Sequence, residues 1–136
     1  MFNAKPKNDH IAFQVSNLDD SIDFYADTLG LNLLSRTVDE KHHEAFAFLE
    51  LEGGNIELLQ LLDDENKPIS TDNPPPTPPY CPHLAIAVDD IDECVRILRE
   101  KSVAILKGPL EIPGNVKWLY VADPDANIIE FVEWLK

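Results

Sequence analysis

The chain has 136 residues, 44% of them hydrophobic, the length and apolar content of one ordinary globular domain. With 25 acidic against 11 basic residues its formal charge is −14, which repels phosphate backbones and anionic bilayers and argues against nucleic-acid and membrane partners. No apolar run approaches the roughly 20 residues of a membrane span, and Met1 to Lys7 lacks the apolar centre of a secretion signal. Cys81 and Cys94 have no metal-type spacing and suit a reduced compartment, so a cytoplasmic location is expected.

In chain order, the run His10-Ile11-Ala12-Phe13-Gln14-Val15 reads as a largely buried strand. Asn17 and Asp20 then stand where an N-cap and its third-residue carboxylate would, and Leu18, Ile22, Tyr25 and Leu29 share one helical face. Gly30 marks the helix stop. Three strands are expected near Leu31 to Thr37, Glu44 to Leu51 and Asn55 to Leu62, the last two joined by a tight turn at Glu52-Gly53-Gly54-Asn55. Next comes Asn73-Pro74-Pro75-Pro76-Thr77-Pro78-Pro79-Tyr80, an extended connector in which Pro75 and Pro78 also meet the PxxP spacing of groove-docking segments. The pattern then repeats. A strand from His83 to Val88 leads to a helix capped by Asp90 with Glu93, with Ile91, Val95 and Leu98 inward, running to about Lys101. Strands near Val103 to Leu106, Val116 to Ala122 and Asn127 to Glu133 close the chain, the last preceded by the turn formers Asp123-Pro124-Asp125.

The repeat carries chemistry. His10 and Glu57 are 47 residues apart, as are His83 and Glu130, and a shift of 73 converts one pair into the other. The same shift places Asn17 on Asp90, Leu18 on Ile91, Asp20 on Glu93, Ile22 on Val95 and Ile56 on Ile129. One lone strand histidine is ordinarily a hydrogen-bonded rim residue, and one lone glutamate beside Ile56 and Leu58 ordinarily points to solvent. Four such residues obeying one register point instead to a shared divalent-metal site of two imidazoles and two carboxylates. Zn, Ni, Co, Mn and Fe all suit that donor set. The ion would act as a Lewis acid on adjacent substrate oxygens, and Glu57 and Glu130 are the candidate proton carriers.

Other polar and aromatic residues are weaker candidates. His42 and His43 are adjacent and are expected to face solvent. Gln14, Phe13, Phe46, Phe48, Leu59, Trp118 and Tyr120 could line a pocket, Trp118 and Trp134 are expected in core or interface, and Lys117 could meet an anionic tail.

The paired modules, the opening His10 to Val15 followed by Ser21-Ile22-Asp23-Phe24-Tyr25-Ala26-Asp27-Thr28-Leu29-Gly30, and Asp123-Pro124-Asp125 leading to Ile129-Glu130, resemble the vicinal oxygen chelate superfamily from about Asp9 to Glu133. The ligand order His, Glu, His, Glu is most similar to glyoxalase I, the lactoylglutathione lyase. The resemblance implies an α+β fold of two βαβββ modules forming a curved mixed β-sheet cavity, within one domain over residues 1–136. The first module would cover 9–62, a proline-rich linker 63–81 and the second module 82–134. It further implies Ni or Zn held by His10, Glu57, His83 and Glu130, a small-molecule hemithioacetal or α-hydroxy-carbonyl substrate, and a homodimer. Glyoxalase I enzymes commonly have Arg where this chain has Gln14 and Asn near Gln60 and Leu61, so the resemblance leaves the thiol open. Other readings within the superfamily are a methylmalonyl-CoA epimerase-like isomerase, a small-molecule sequestering protein of the bleomycin-resistance type and a small iron dioxygenase using two His and one carboxylate.

Overall fold

A computed structural model describes residues 5–135 and divides the chain into two compact units, the first ending at Thr71 and the second beginning at Asp72. In the first unit β1 (His10–Gln14) runs into α1 (Leu18–Ile22), a π-helical stretch (Asp23–Thr28), and strands β2 (Leu33–Asp39), β3 (Glu44–Leu49) and β4 (Asn55–Leu61). The sheet order is β1-β4-β3-β2, with β1 parallel to β4 and the other pairs antiparallel. The second unit repeats this with β5 (Leu84–Ala87), α2 (Ile91–Glu100), β6 (Ile105–Ile112), β7 (Val116–Ala122) and β8 (Ile128–Trp134), in the order β5-β8-β7-β6. The α+β class and the strand-helix-three-strand repeat are therefore as expected from sequence.

Side-chain alternation gives each sheet one core face. On β3 and β4 the residues Ala45, Ala47, Leu49, Ile56 and Leu58 are buried, and α1 with its extension contributes Leu18, Ser21 and Tyr25. Phe13 belongs to this face too, since its ring stacks on Tyr25 at 6.3 Å. In the second unit Leu119, Val121, Ile129 and Phe131 are buried with Ile91, Val95 and Leu98 of α2. The opposite parity on each sheet is left for other work, and His10, Glu57 and Glu130 lie on it.

Both helix starts are built the same way. Asn17 accepts from the Asp20 N–H, and Asp90 accepts from the Asp92 and Glu93 N–H groups. The first helical N–H is satisfied by the last strand of the same unit: Leu18 donates to Gln60 Oε1 at 3.0 Å and Ile91 donates to Glu133 Oε1 at 2.8 Å. Gln60 also donates through Nε2 to the Ser16 carbonyl at 2.6 Å. Expected capping partner Glu93 instead binds Arg96.

Three departures from the sequence pattern have physical causes. The first helix widens after Ile22, with the Leu29 N–H reaching back five residues to the Phe24 carbonyl and Gly30, at φ +81°, ending it. In the regular turn before it, Ser21 rather than Ile22 is fully buried. Strand β6 continues past Leu106 through Gly108-Pro109, because a register irregularity between Lys107 and Leu110 and a φ of +106° at Gly108 let an edge strand accommodate a proline. A Cβ at Gly108 would stand 2.9 Å from the Trp118 carbonyl oxygen. Finally, the start of the expected linker folds onto the first unit, where Leu62 and Pro68 form a bridge and Ser16 Oγ accepts from the Thr71 N–H at 2.7 Å. No helix among the described residues is long and apolar enough to cross a membrane.

Two stability predictions follow from the helix-facing core. Ser21 Oγ is buried with no hydrogen-bond partner among the described residues, so Ser21→Ala should stabilise the fold by about 1 kcal/mol in urea denaturation. Gln60→Leu strands the buried Leu18 N–H and should destabilise by about 1–3 kcal/mol, with Gln60→Glu intermediate because it keeps the acceptor and loses the Nε2 donor.

Candidate metal centre

His10 is the first residue of β1, and Glu57 is the third of β4, where it lies opposite Ala12 in the parallel register. Both fall on the face away from α1, and their side chains approach each other: His10 Nε2 is 3.4 Å from Glu57 Oε1. The other imidazole nitrogen, Nδ1, is 2.7 Å from Asp9 Oδ2. The His10 ring presses edge-on against Phe48 at 5.3 Å, and Phe48 is the antiparallel partner of Glu57.

The second unit rebuilds this arrangement. His83 immediately precedes β5, Ala85 lies opposite Glu130, and His83 Nε2 is 2.8 Å from Glu130 Oε1. Here Nδ1 donates to the Tyr80 carbonyl at 2.8 Å. The His83 ring meets Tyr120 edge-on at 5.4 Å, and Tyr120 is the antiparallel partner of Glu130. Neither glutamate points to open solvent, their side chains being 16% and 14% exposed.

These contacts define a donor set. An oxygen that can only accept keeps a proton on Nδ1, so Nε2 faces the carboxylate either through its lone pair or, in the imidazolium, through a second N–H. Two acceptors at that separation need a cation between them, either a proton or a metal ion. The hydrogen bond to Asp9, reinforced by the charge of Glu57, raises the His10 pKa above its ordinary 6.5 against a smaller opposing effect of burial. The Tyr120 phenol is likewise pushed up, by burial and then by the Glu130 charge. One imidazole and one carboxylate per unit suit a divalent ion of the zinc and nickel type. Among the described residues no three His, Cys, Asp or Glu side chains stand together closely enough to hold a metal, so each unit offers a pair of donors.

The remaining candidates sort by strand parity. Phe46, Phe48 and Leu59 share the Glu57 face, whereas Gln60 lies on the helix side and is committed to α1. Lys117 also lies on the helix side, 3.7 Å from Asp92 on α2, which removes it as a contact for an anionic tail. His42 and His43 occupy the turn between β2 and β3 instead of a strand. The first pairs with Asp39 and the second, half-buried, contacts Asn66 Oδ1 at 2.8 Å. Trp134 is 65% exposed and so is not core. Both cysteines are free, and burial raises the Cys94 thiol to about 11.

Sequence reading missed Asp9 and the Tyr80 carbonyl, and it named Phe48 and Tyr120 as possible pocket residues without seeing that each flanks the imidazole of its own unit. Asp9 was signalled by its position beside His10. Their equivalence was hidden because they are 72 residues apart and not 73: Glu57 follows Phe48 by nine residues, while Glu130 follows Tyr120 by ten.

The model of the Glyoxalase/Bleomycin resistance protein/Dioxygenase superfamily matches residues 7–131. The lactoylglutathione lyase of Haemophilus influenzae is 32% identical over 130 residues, covering 91% of this chain and 90% of that protein. That of Neisseria meningitidis serogroup A is 30% identical over the same length, covering 91% and 88%. Among solved structures, a Leishmania major glyoxalase I described as trypanothione-dependent superposes with a TM-score of 0.75 at 25% identity, over 95% of this chain and 87% of that one. A glyoxalase family protein of Bacillus cereus gives 0.78 at 21% identity, covering 100% and 99%. By the extent of the family match and by its relatives, the chain belongs to the Glyoxalase/Bleomycin resistance protein/Dioxygenase superfamily.

Proposed function

We propose that the protein is a metal-dependent lyase or isomerase of the glyoxalase I type. In this reading His10, Glu57, His83 and Glu130 hold one Ni or Zn ion, and the two kinds of donor pair are brought together across a homodimer. The observation that carries the proposal is the duplicated His–Glu contact, in which both imidazoles turn Nε2 toward a half-buried carboxylate. The lactoylglutathione lyases among its relatives support the reaction class.

The bound ion would polarise adjacent oxygens of a hemithioacetal or α-hydroxy-carbonyl substrate and acidify the C–H bond beside them. The protein's own residues do the rest. Glu57 and Glu130 remove that proton through a carboxylate oxygen and return it to the neighbouring carbon, one serving each direction. Asp9 and the Tyr80 carbonyl hold the imidazoles in the ligating tautomer. Phe48 and Tyr120, in T-shaped contact with the imidazoles, limit water around the carboxylates.

The thiol need not be glutathione. The strand residues that share the Glu57 face include no Lys or Arg, since Arg36 has the opposite parity and pairs with Asp19, whereas in the second unit Lys107, opposite Tyr120, shares the Glu130 face. Gln14 replaces the usual Arg of that strand, and Gln60 is held by α1. A substrate with fewer carboxylates than a glutathione adduct fits the Glu57 face better, Lys107 being the strand cation on the Glu130 face.

Metal-reconstituted protein should turn over methylglyoxal hemithioacetals, and Glu57→Gln or Glu130→Gln should lower kcat about 10²- to 10⁴-fold. Failure on every thiol adduct, with bound metal present, would remove the lyase reading. His10→Ala and His83→Ala should each lose metal by elemental analysis and lose activity. Mixing the two variants should restore part of the activity, because a heterodimer rebuilds one intact site; no restoration would place all four donors in one chain. Proton and metal compete for Nε2, and the His10 pKa is raised, so metal uptake should weaken as pH falls through a value above 6.5. In the metal-free protein the sign reverses: the His10 pairing stabilises the fold fully below 6.5 and loses that contribution as pH rises through the raised value.

A further inference from the structure

The proline-rich segment enters the chemistry above only through the Tyr80 carbonyl, where it ends against a proposed ligand. Asn73 Nδ2 donates to the Asp125 carbonyl at 2.7 Å, tying the start of the segment to the turn between β7 and β8. The Tyr80 N–H donates to the Thr77 carbonyl at 2.9 Å, closing a turn whose two central residues, Pro78 and Pro79, have restricted φ. Tyr80 leaves that turn with its ring stacked on Tyr120, centroids 4.9 Å apart and planes 30° from parallel. Its carbonyl meanwhile receives His83 Nδ1. Tyr120 in turn packs edge-on against the same imidazole. Three residues thus form a closed triangle of contacts, with His83 held by a T-shaped ring contact and at Nδ1.

We propose that Tyr80 is a positioning residue for His83, delivered by the proline-rich arm, and that its ring stacking on Tyr120 holds the carbonyl that fixes the imidazole. The physical need is specific. A neutral His83 has a competing tautomer in which Nε2–H donates to Glu130, satisfying the pair internally and closing the lone pair to any cation. A carbonyl held against Nδ1 opposes that tautomer, because it can only accept. A backbone carbonyl cannot be removed by mutation, but it can be released by removing the ring that anchors it. The first unit meets the same need with a side chain, Asp9, whose carboxylate is 90% exposed; Tyr80 is half-buried and packed, so water competes less with its carbonyl.

The inference rests on the proposed metal reading for its consequence, but its test does not. Proton NMR of ¹⁵N-histidine-labelled full-length protein should show a solvent-protected Nδ1–H resonance for His83 in the wild type and in Tyr80→Phe, which keeps the ring. In Tyr80→Ala that resonance should be lost to exchange, while the ring signals of His10 stay in place. Zinc affinity by calorimetric titration should fall about tenfold in Tyr80→Ala and remain unchanged in Tyr80→Phe. An unaltered His83 resonance in Tyr80→Ala, whether or not stability drops, would overturn the proposal, as would a Tyr80→Phe variant that behaves like Tyr80→Ala. Absence of zinc binding in the wild type would defeat the metal reading while leaving the resonance test of Tyr80 intact.

Discussion

An imidazole has two nitrogens, and in this protein each strand-start histidine has one of them spoken for. Asp9 at His10 and the Tyr80 carbonyl at His83 hold Nδ1, so that Nε2 confronts a carboxylate at 3.4 Å in one unit and 2.8 Å in the other. That confrontation is unfavourable without a positive charge between the partners, and much of the surrounding structure serves to keep it. The parallel pairing of first and last strand sets histidine and glutamate on one face, the helix covers the other face, and an aromatic ring from the neighbouring strand packs on the imidazole.

The two units reach this arrangement through partly different residues. Glutamine and glutamate fill the same place at the helix starts, with Gln60 and Glu133 each accepting the first helical N–H. Phenylalanine and tyrosine flank the two imidazoles. A side-chain carboxylate orients one histidine and a backbone carbonyl the other. Identity is retained at the imidazoles, at their carboxylates and at a few core positions such as Ile56 and Ile129, while at the helix starts and beside the imidazoles only the physical role is retained.

The class of fold was readable because period-2 and helical patterns recur at one constant shift, and the four candidate donors were readable because they obey it too. Less was visible where the shift breaks or where backbone does the work. Tyr120 is one residue out of register with Phe48, and no side-chain pattern announces that the Tyr80 carbonyl receives an imidazole. The continuation of β6 through Gly108-Pro109 was hidden because those residues end most strands, and only the positive φ at Gly108 and the edge position make them compatible with one. Lys117 looked free to meet a substrate until strand parity placed it beside Asp92.

The central claim is that these histidines and glutamates together ligate one divalent ion. X-ray absorption at the metal edge of zinc- or nickel-loaded protein tests it most directly. The account predicts a first shell of nitrogen and oxygen only, with the outer-shell scattering of two imidazoles, reduced to one imidazole in His83→Ala if any metal is retained. A sulfur ligand from Cys81, or an unchanged two-imidazole spectrum in that variant, would contradict it.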